Sequence, residues 1–233
     1  MTVIRRGVYR GKLTAKERHE AQDLVMSGQV SLMIATNAFG MEIDKAELRF
    51  VVHYNFPGSL EAYYQETGRA GHGGEPARCV LLYLKKDQRT QNFFLAGKYP
   101  RTEHLIQVYR VLEASEGTVS LKDLQDACKA VPKTKVRVVL NTLRDAHLVQ
   151  ISGRGARLTA RGKSDTDLTC VAEIFEAKGK ADKEKLKSMV VFAQTALCRW
   201  NAILKYVGDP ALPNGCQNCD GGESLKSHPI SLQ

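Results

Sequence analysis

Three short apolar runs constrain the first part of the chain more than anything else in it. They read VSLMIAT at residues 30–36, LRFVVHY at 48–54 and RCVLLYL at 78–84, with stretches of helical character around them. Runs of this length and composition suit buried strands. The first helical stretch opens on Thr14-Ala15-Lys16-Glu17, which has capping-box form. There the threonine oxygen takes the N–H three residues on, and the glutamate reaches back. That helix carries Ala21, Leu24, Val25 and Met26 and stops near Gly28. Ser59 caps a second helix, expected to hold Tyr63 through Arg69. Strands alternating with helices predict a mainly parallel α/β sheet covered on both faces. Ligands of such sheets sit beyond the carboxyl ends of the strands, where Thr36 and the Gly68 to Gly71 stretch are expected.

The stretch Tyr63-Tyr64-Gln65-Glu66-Thr67-Gly68-Arg69-Ala70-Gly71-His72 sets an arginine between glycines. Glycine disfavours a helix interior by roughly 1 kcal/mol, so these glycines fit a place where backbone comes close to something else. A guanidinium held there is a planar fork suited to phosphate oxygens. Two readings stand: a nucleotide-facing arginine, or a helix end with an ordinary surface arginine.

Residues 99–164 have a different texture. Leu105, Val108, Val111 and Leu112 share one helical face, Ser120 caps a short helix reaching Cys128, and Val136, Val139, Leu140 and Leu143 follow Pro132 at helical spacing. Residues 149–159 then read as a hairpin around Gly153-Arg154-Gly155. Three helices and a glycine-tipped hairpin are the winged-helix plan, whose third helix would enter a major groove. Between positions 133 and 163, Lys133, Lys135, Arg137, Arg144, Arg154, Arg157, Arg161 and Lys163 face one acid, Asp145. That imbalance suits phosphate contacts, and equally a solvated basic face on a protein-binding module.

Residues 165–222 begin polar and lysine-rich, with an exposed turn expected at 177–182 and a helix from about Lys183. A further helix carries Trp200, Ile203, Leu204 and Tyr206 and ends at Gly208. Cys198 precedes that helix, and Cys216 and Cys219 form a Cys-x-x-Cys pair beyond it. Together they supply three of the four ligands of a zinc site. Residues 223–233 read as a tail.

The full chain has 233 residues, a net charge of +9 and 43% hydrophobic content. The charge favours an anionic partner, nucleic acid first. No apolar run approaches the length of a membrane span, so the expectation is a cytoplasmic protein without membrane contact. Six cysteines in such a setting read as buried thiols or metal ligands.

Taken together, these motifs resemble a RecQ-family DNA helicase over nearly the whole chain. Ala35-Thr36-Asn37-Ala38-Phe39-Gly40-Met41-Glu42-Ile43-Asp44-Lys45 looks like its fifth helicase motif, and residues 65–72 look like its sixth. Cys198-Arg199-Trp200, Tyr206-Val207-Gly208-Asp209 and Cys216-Gln217-Asn218-Cys219-Asp220 look like its zinc platform. A winged helix placed before the zinc segment resembles a bacterial subgroup, which implies a bacterial, nucleoid-associated protein. The implied organisation is a second RecA-like domain at 1–98, a winged helix at 99–164 and a helical zinc-platform-like segment at 165–222. The family unwinds DNA 3′ to 5′, with ATP and Mg²⁺ between two RecA-like domains. On that scheme Thr36 touches the DNA backbone and Asp44 couples nucleotide to domain. Gln65 and Arg69 face the ATP cleft, Arg69 stabilising the transferring γ-phosphoryl. Lys133, Lys135, Arg137, Arg154 and Arg157 serve single-stranded or forked DNA, and Cys198, Cys216 and Cys219 serve zinc.

The sequence departs from the family pattern in three ways. It contains no G-x-x-x-x-G-K-[ST] loop to cradle phosphates and no Asp-Glu-x-His run to hold Mg²⁺, so ATP binding needs the first RecA-like domain from a neighbouring chain or a longer gene product. His72, Gly73 and Glu42 replace an arginine, an aspartate and a glycine. Gly222 stands where the fourth zinc cysteine belongs, leaving Asp220, His228 or water to complete a site. The expected function is the C-terminal part of a 3′–5′ helicase, inactive alone; the alternative is a non-catalytic winged-helix DNA-binding module. Cys79, Cys128, Phe93 and Phe94 are expected in the core, and His53 in the sheet.

Overall fold

The computed structural model describes residues 6–36, 45 and 47–221. It falls into two compact units, Met1–Tyr83 and Leu84–Gln233. The first holds β1 (Arg6–Tyr9), α1 (Ala15–Met26), β2 (Leu32–Ala35), β3 (Phe50–His53), α2 (Leu60–Thr67) and β4 (Arg78–Leu81). The capping box forms as the sequence requires: Thr14 Oγ1 accepts from Glu17 N, and Glu17 accepts from Thr14 N at 2.7 Å. Such a cap contributes on the order of 1 kcal/mol. Pairing is parallel throughout this unit, β1 with β2 and β3 with β4. The short strand β1 is not apparent from sequence, because Arg5-Arg6-Gly7 interrupts any apolar run. It forms because Gly7 and Tyr9 turn inward and β2 supplies its backbone partners.

One expectation about this sheet is corrected. The strands form two separate two-stranded ladders, and neither is covered on both faces by described residues. Val8 and Ile34, paired across β1 and β2, are both more than half exposed, and Phe50 and Val52 of β3 are nearly so. Cys79, expected in the core, is exposed on β4 for the same reason.

The second unit holds α3 (Asp87–Lys98), α4 (Thr102–Glu113), α5 (Leu121–Ala127), α6 (Lys133–Asp145), β5 (Val149–Ser152), β6 (Gly155–Leu158), α7 (Asp165–Gln194) and α8 (Arg199–Val207). Helix α3 belongs here and packs on α7 and α6, whereas the sequence reading groups residues 87–98 with the α/β part. The helices α4, α5 and α6 close around Leu105, Val108, Tyr109, Leu112, Leu124, Cys128, Val136, Val139 and Leu143. A β-bridge from Val119 to Ala156 ties the α4–α5 connection to the antiparallel hairpin β5–β6. Helix, bridge, helix, helix and hairpin follow one another in winged-helix order. Leu168 and Ala172 of α7 enter the same core, so residue 164 does not separate two cores.

Helix α7 is a second correction. Its 30 residues run unbroken through 177–182, where a turn is expected from sequence; at 1.5 Å per residue that is about 45 Å. The reason lies in its partners. Gly179 sits against the Tyr99 ring, whose nearest carbon would lie 3.0 Å from an added Cβ. Asp182 receives Lys98 Nζ at 2.6 Å and Tyr99 OH at 2.7 Å. Close packing at the glycine and two charge-assisted bonds outweigh roughly 1 kcal/mol of glycine propensity.

Candidate functional site

The arginine-bearing stretch is assembled at the carboxyl end of α2. Ser59 Oγ accepts from Ala62 N at 3.2 Å and starts the helix; Gly68, whose N–H bonds Tyr64 O at 2.9 Å, ends it. Arg69 therefore stands in the turn after the helix, not inside it as the sequence reading places it. Ala70 N to Thr67 O closes that turn, and Gly71 N reaches Leu48 O, both at 3.1 Å. Gly71 adopts φ +84°, a conformation other residues rarely hold. Helix and sheet are locked by His53, buried at the end of β3, whose Nε2 lies 2.8 Å from Glu66 Oε2. The Tyr63 ring lies 5.0 Å from the imidazole. His53 thus has the sheet role expected of it. Gln65 is exposed and Arg69 half-buried. Thr36 follows the last residue of β2, exposed, with its N–H on Tyr9 O at 3.1 Å. Asp44 and the rest of residues 37–44 lie outside the described residues.

The basic residues of the second unit divide sharply. Arg154 is at the tip of a two-residue loop, since Ser152 pairs with Gly155. Arg157 is exposed on β6 and fixed by Gln150, whose Oε1 accepts from Nε at 2.9 Å and from an η-nitrogen at 2.7 Å. Both line an open groove of about 570 Å³ with Thr118, Gln150, Ser152 and Gly153. Arg137 is exposed on α6. Lys133 pairs with Asp126 at 3.1 Å. Lys135 turns away from solvent: its ammonium donates to Ala96 O at 2.9 Å and Gly97 O at 3.2 Å, capping α3. Arg161 bonds Glu113 O and Ser115 O, closing the α4 end.

The cysteines meet as the spacing predicts. Cys198, Cys216 and Cys219 bring their sulfurs within 4.8 Å of one another. A tetrahedral zinc with ~2.3 Å bonds spaces its sulfurs about 3.8 Å apart, so the three fit one ion. Backbone N–H groups already point at the sulfurs, Cys216 N at Cys198 Sγ and Arg199 N at Cys219 Sγ, each 3.2 Å. Burial alone would push the Cys198 thiol up, but N–H donors from Asn201 and Cys216 outweigh it and bring the pKa to about 7. Burial pushes Cys216 up. Asp220, a candidate fourth ligand, is engaged elsewhere: both its oxygens accept from Arg199 at 2.8 Å. Gly222 and His228 lie outside the described residues. The Arg199–Asp220 fork was not foreseen, although its signal is in the sequence, since each partner directly follows a cysteine of the cluster.

Parallel ladders with a glycine-flanked arginine are followed in the chain by a three-thiol cluster with the ligand set of a metal site. The comparisons agree. Residues 3–74 match the model of the helicase conserved C-terminal domain, and residues 165–221 match the RecQ zinc-binding model. The chain is 44% identical over 92 residues to the ATP-dependent DNA helicase RecQ of Bacillus subtilis, covering 40% of this chain and 16% of the relative. It is 42% identical over 227 residues to the ATP-dependent DNA helicase Q5 of Rattus norvegicus, covering 97% of this chain and 16% of the relative. Among solved structures, the C-terminal domain of the DEAD-box protein Dbp5 covers 38% of this chain and 56% of its own at 24% identity and TM-score 0.32. The chain belongs to the RecQ family and corresponds to the C-terminal portion of its helicases, with an α/β unit of parallel strands, matching the helicase conserved C-terminal domain, first. Bacterial and animal relatives match alike, so a bacterial source does not follow from them. No described helix is long and apolar enough to cross a membrane.

Proposed function

We propose that this chain forms the second motor domain and DNA-binding appendages of an ATP-dependent 3′–5′ DNA helicase, and that alone it binds DNA without turning over ATP. The observation that carries this reading is the pinned turn holding Arg69 after α2. The backbone turn that carries Arg69 is held by Gly71 N–H on Leu48 O and by the His53–Glu66 lock, and a guanidinium presented from such a turn is suited to charge developing on a γ-phosphoryl of another domain. Gln65 faces the same cleft, Asp44 couples nucleotide to the domain, and Thr36 touches the DNA backbone. These 233 residues contain no phosphate-binding loop, so ATP and Mg²⁺ would be held by a first RecA-like domain supplied from elsewhere.

DNA contact falls to the winged-helix-ordered part, led by Arg154 and Arg157 on the hairpin, with Arg137 and Lys133 on α6 contributing charge. Cys198, Cys216 and Cys219 would hold zinc, which when bound ties the 208–221 loop to the start of α8. The alternative, a DNA-binding module without a motor role, is favoured by one observation: His72, exposed in the turn, is not the permanent bidentate cation of the family pattern.

A DNA-stimulated ATPase assay on the purified chain, alongside a DNA-binding titration, tests the reading. Binding without turnover above background is expected. Turnover abolished by Arg69→Ala would overturn the claim of inactivity alone, and absence of DNA binding would overturn the rest.

A further inference from the structure

Helix α3 is amphipathic the wrong way round. Its half-buried positions, Gln88, Gln91 and Leu95, recur at helical spacing on one side, and the helix packs on α7 and α6. Its outward side carries two adjacent phenylalanines, Phe93 at 75% and Phe94 at 62% exposure. The sequence reading assigns both to the core, so this is a correction as well as a clue. Their rings stand 6.1 Å apart at 62°, edge to face, so each keeps a free face of its own. One and two turns toward the amino end, on the same side, lie Arg89 and Lys86, with Lys85 beside them. All three are exposed, and none has an ion pair among the described residues. The nearest acid in the helix, Asp87, is occupied by Leu84 N–H at 3.2 Å.

Two bare aromatic faces beside three exposed cations form the chemistry of a single-stranded nucleic-acid platform. Every base has a face to stack, and the phosphates between bases need positive charge. Three exposed cations, Lys85, Lys86 and Arg89, stand against one acid, Asp87, and that excess of positive charge favours a polyanion over a protein partner. We infer that α3 binds single-stranded nucleic acid, bases stacking on Phe93 and Phe94 and phosphates lying along Arg89, Lys86 and Lys85. This surface is separate from the hairpin groove of Arg154 and Arg157 and does not depend on that reading.

The test is fluorescence anisotropy with a labelled oligothymidylate of about 12 nucleotides, within the usual footprint of such surfaces, and with an abasic strand of equal length. Phe93→Ala/Phe94→Ala should bind oligothymidylate about tenfold more weakly at fixed salt and the abasic strand unchanged. Phe93→Trp/Phe94→Trp should retain binding. Arg89→Ala should flatten the dependence of log K on log salt by about 0.7, one phosphate on a single strand. Duplex binding lost in Arg154→Ala/Arg157→Ala but kept in the double Phe variant separates the two surfaces. Equal oligothymidylate affinity in the double Phe variant, or an equal loss on the abasic strand, would overturn the proposal. So would wild-type DNA binding combined with a change of sedimentation mass, which would make the patch a protein interface. The side chains are exposed, and circular dichroism of each variant checks that the helices persist.

Discussion

The Tyr99 phenol donates to Asp182 at 2.7 Å across 83 positions of sequence, and Lys98 joins it on the same carboxylate oxygen at 2.6 Å. This triad fastens the end of α3 to the middle of α7, where Gly179 makes room for the ring. It explains why a lysine-rich stretch with a glycine continues as helix.

The triad carries a pH signature. Burial pushes the Asp182 carboxyl up, but bonds from Lys98 and Tyr99 outweigh it and hold the pKa below the usual 3.8. A depressed carboxylate contributes stability above its unfolded value, lost as pH falls through the folded one. Lys98 is raised above 10.5 chiefly by its bond to Asp182, so its share is present below 10.5 and lost as pH rises through the folded value. Asp182→Ala should therefore destabilise the protein at neutral pH by about 1–2 kcal/mol. The difference from wild type should shrink as pH drops below 3.8, as read from denaturant midpoints; a gap that persists unchanged there would remove the electrostatic explanation.

Lys135 and Arg154 look equivalent in sequence and should not behave alike. Lys135→Ala removes the cap on Ala96 and Gly97 carbonyls and should cost about 1 kcal/mol of stability while leaving the salt dependence of DNA binding intact. Arg154→Ala/Arg157→Ala should leave the melting temperature nearly unchanged and flatten the log–log salt slope by about 1 per phosphate lost. Paired melting and salt titrations decide this, and a flattened slope for Lys135→Ala would reverse the assignment.

Legibility followed whether a signal was local. Caps at Thr14, Ser59 and Ser120 and the apolar faces of α4 and α6 sit within one or two turns of sequence, and they form as expected. The cysteine cluster was readable because thiols at Cys-x-x-Cys spacing have few other uses. What failed needed tertiary partners. The continuity of α7 depends on Tyr99, the loss of Lys135 to α3 depends on how α3 packs, and the exposure of Phe93 and Phe94 depends on which side of α3 meets α7. Residue type alone put those phenylalanines inside, because it reports burial on average and not orientation.

Arg199 and Asp220, each one residue after a cysteine of the cluster, form a two-bond fork, and Arg199 also bonds Phe192 O. It presets the loop around the cluster without donating a ligand. Arg199→Ala should lower zinc affinity about 10- to 100-fold, the usual effect of losing an outer-shell partner, while still allowing one zinc per chain at saturation. Cys216→Ser should abolish stoichiometric zinc altogether. Competition with a chromophoric chelator measures both, and zinc retention by Cys216→Ser would mean that the cluster is not the site.

The glycine-x-glycine turn contains one indispensable glycine and one replaceable one. Gly155 has φ +147°, and an added Cβ would lie 2.0 Å from Val119 O. That oxygen accepts from Ala156 N at 2.9 Å, and Val119 N returns to Ala156 O at 2.8 Å, so it cannot move without breaking the bridge that anchors the hairpin. Gly155→Ala should destabilise the protein by about 2–3 kcal/mol through backbone strain and the lost pair. It should also weaken DNA binding, because the tip bearing Arg154 loses its support. Gly153, two residues earlier, has open space around its added Cβ, and Gly153→Ala should shift stability by less than about 0.5 kcal/mol. Thermal melts of the two variants side by side make the comparison. Equal losses would show that the hairpin is not held by the Val119–Ala156 bridge.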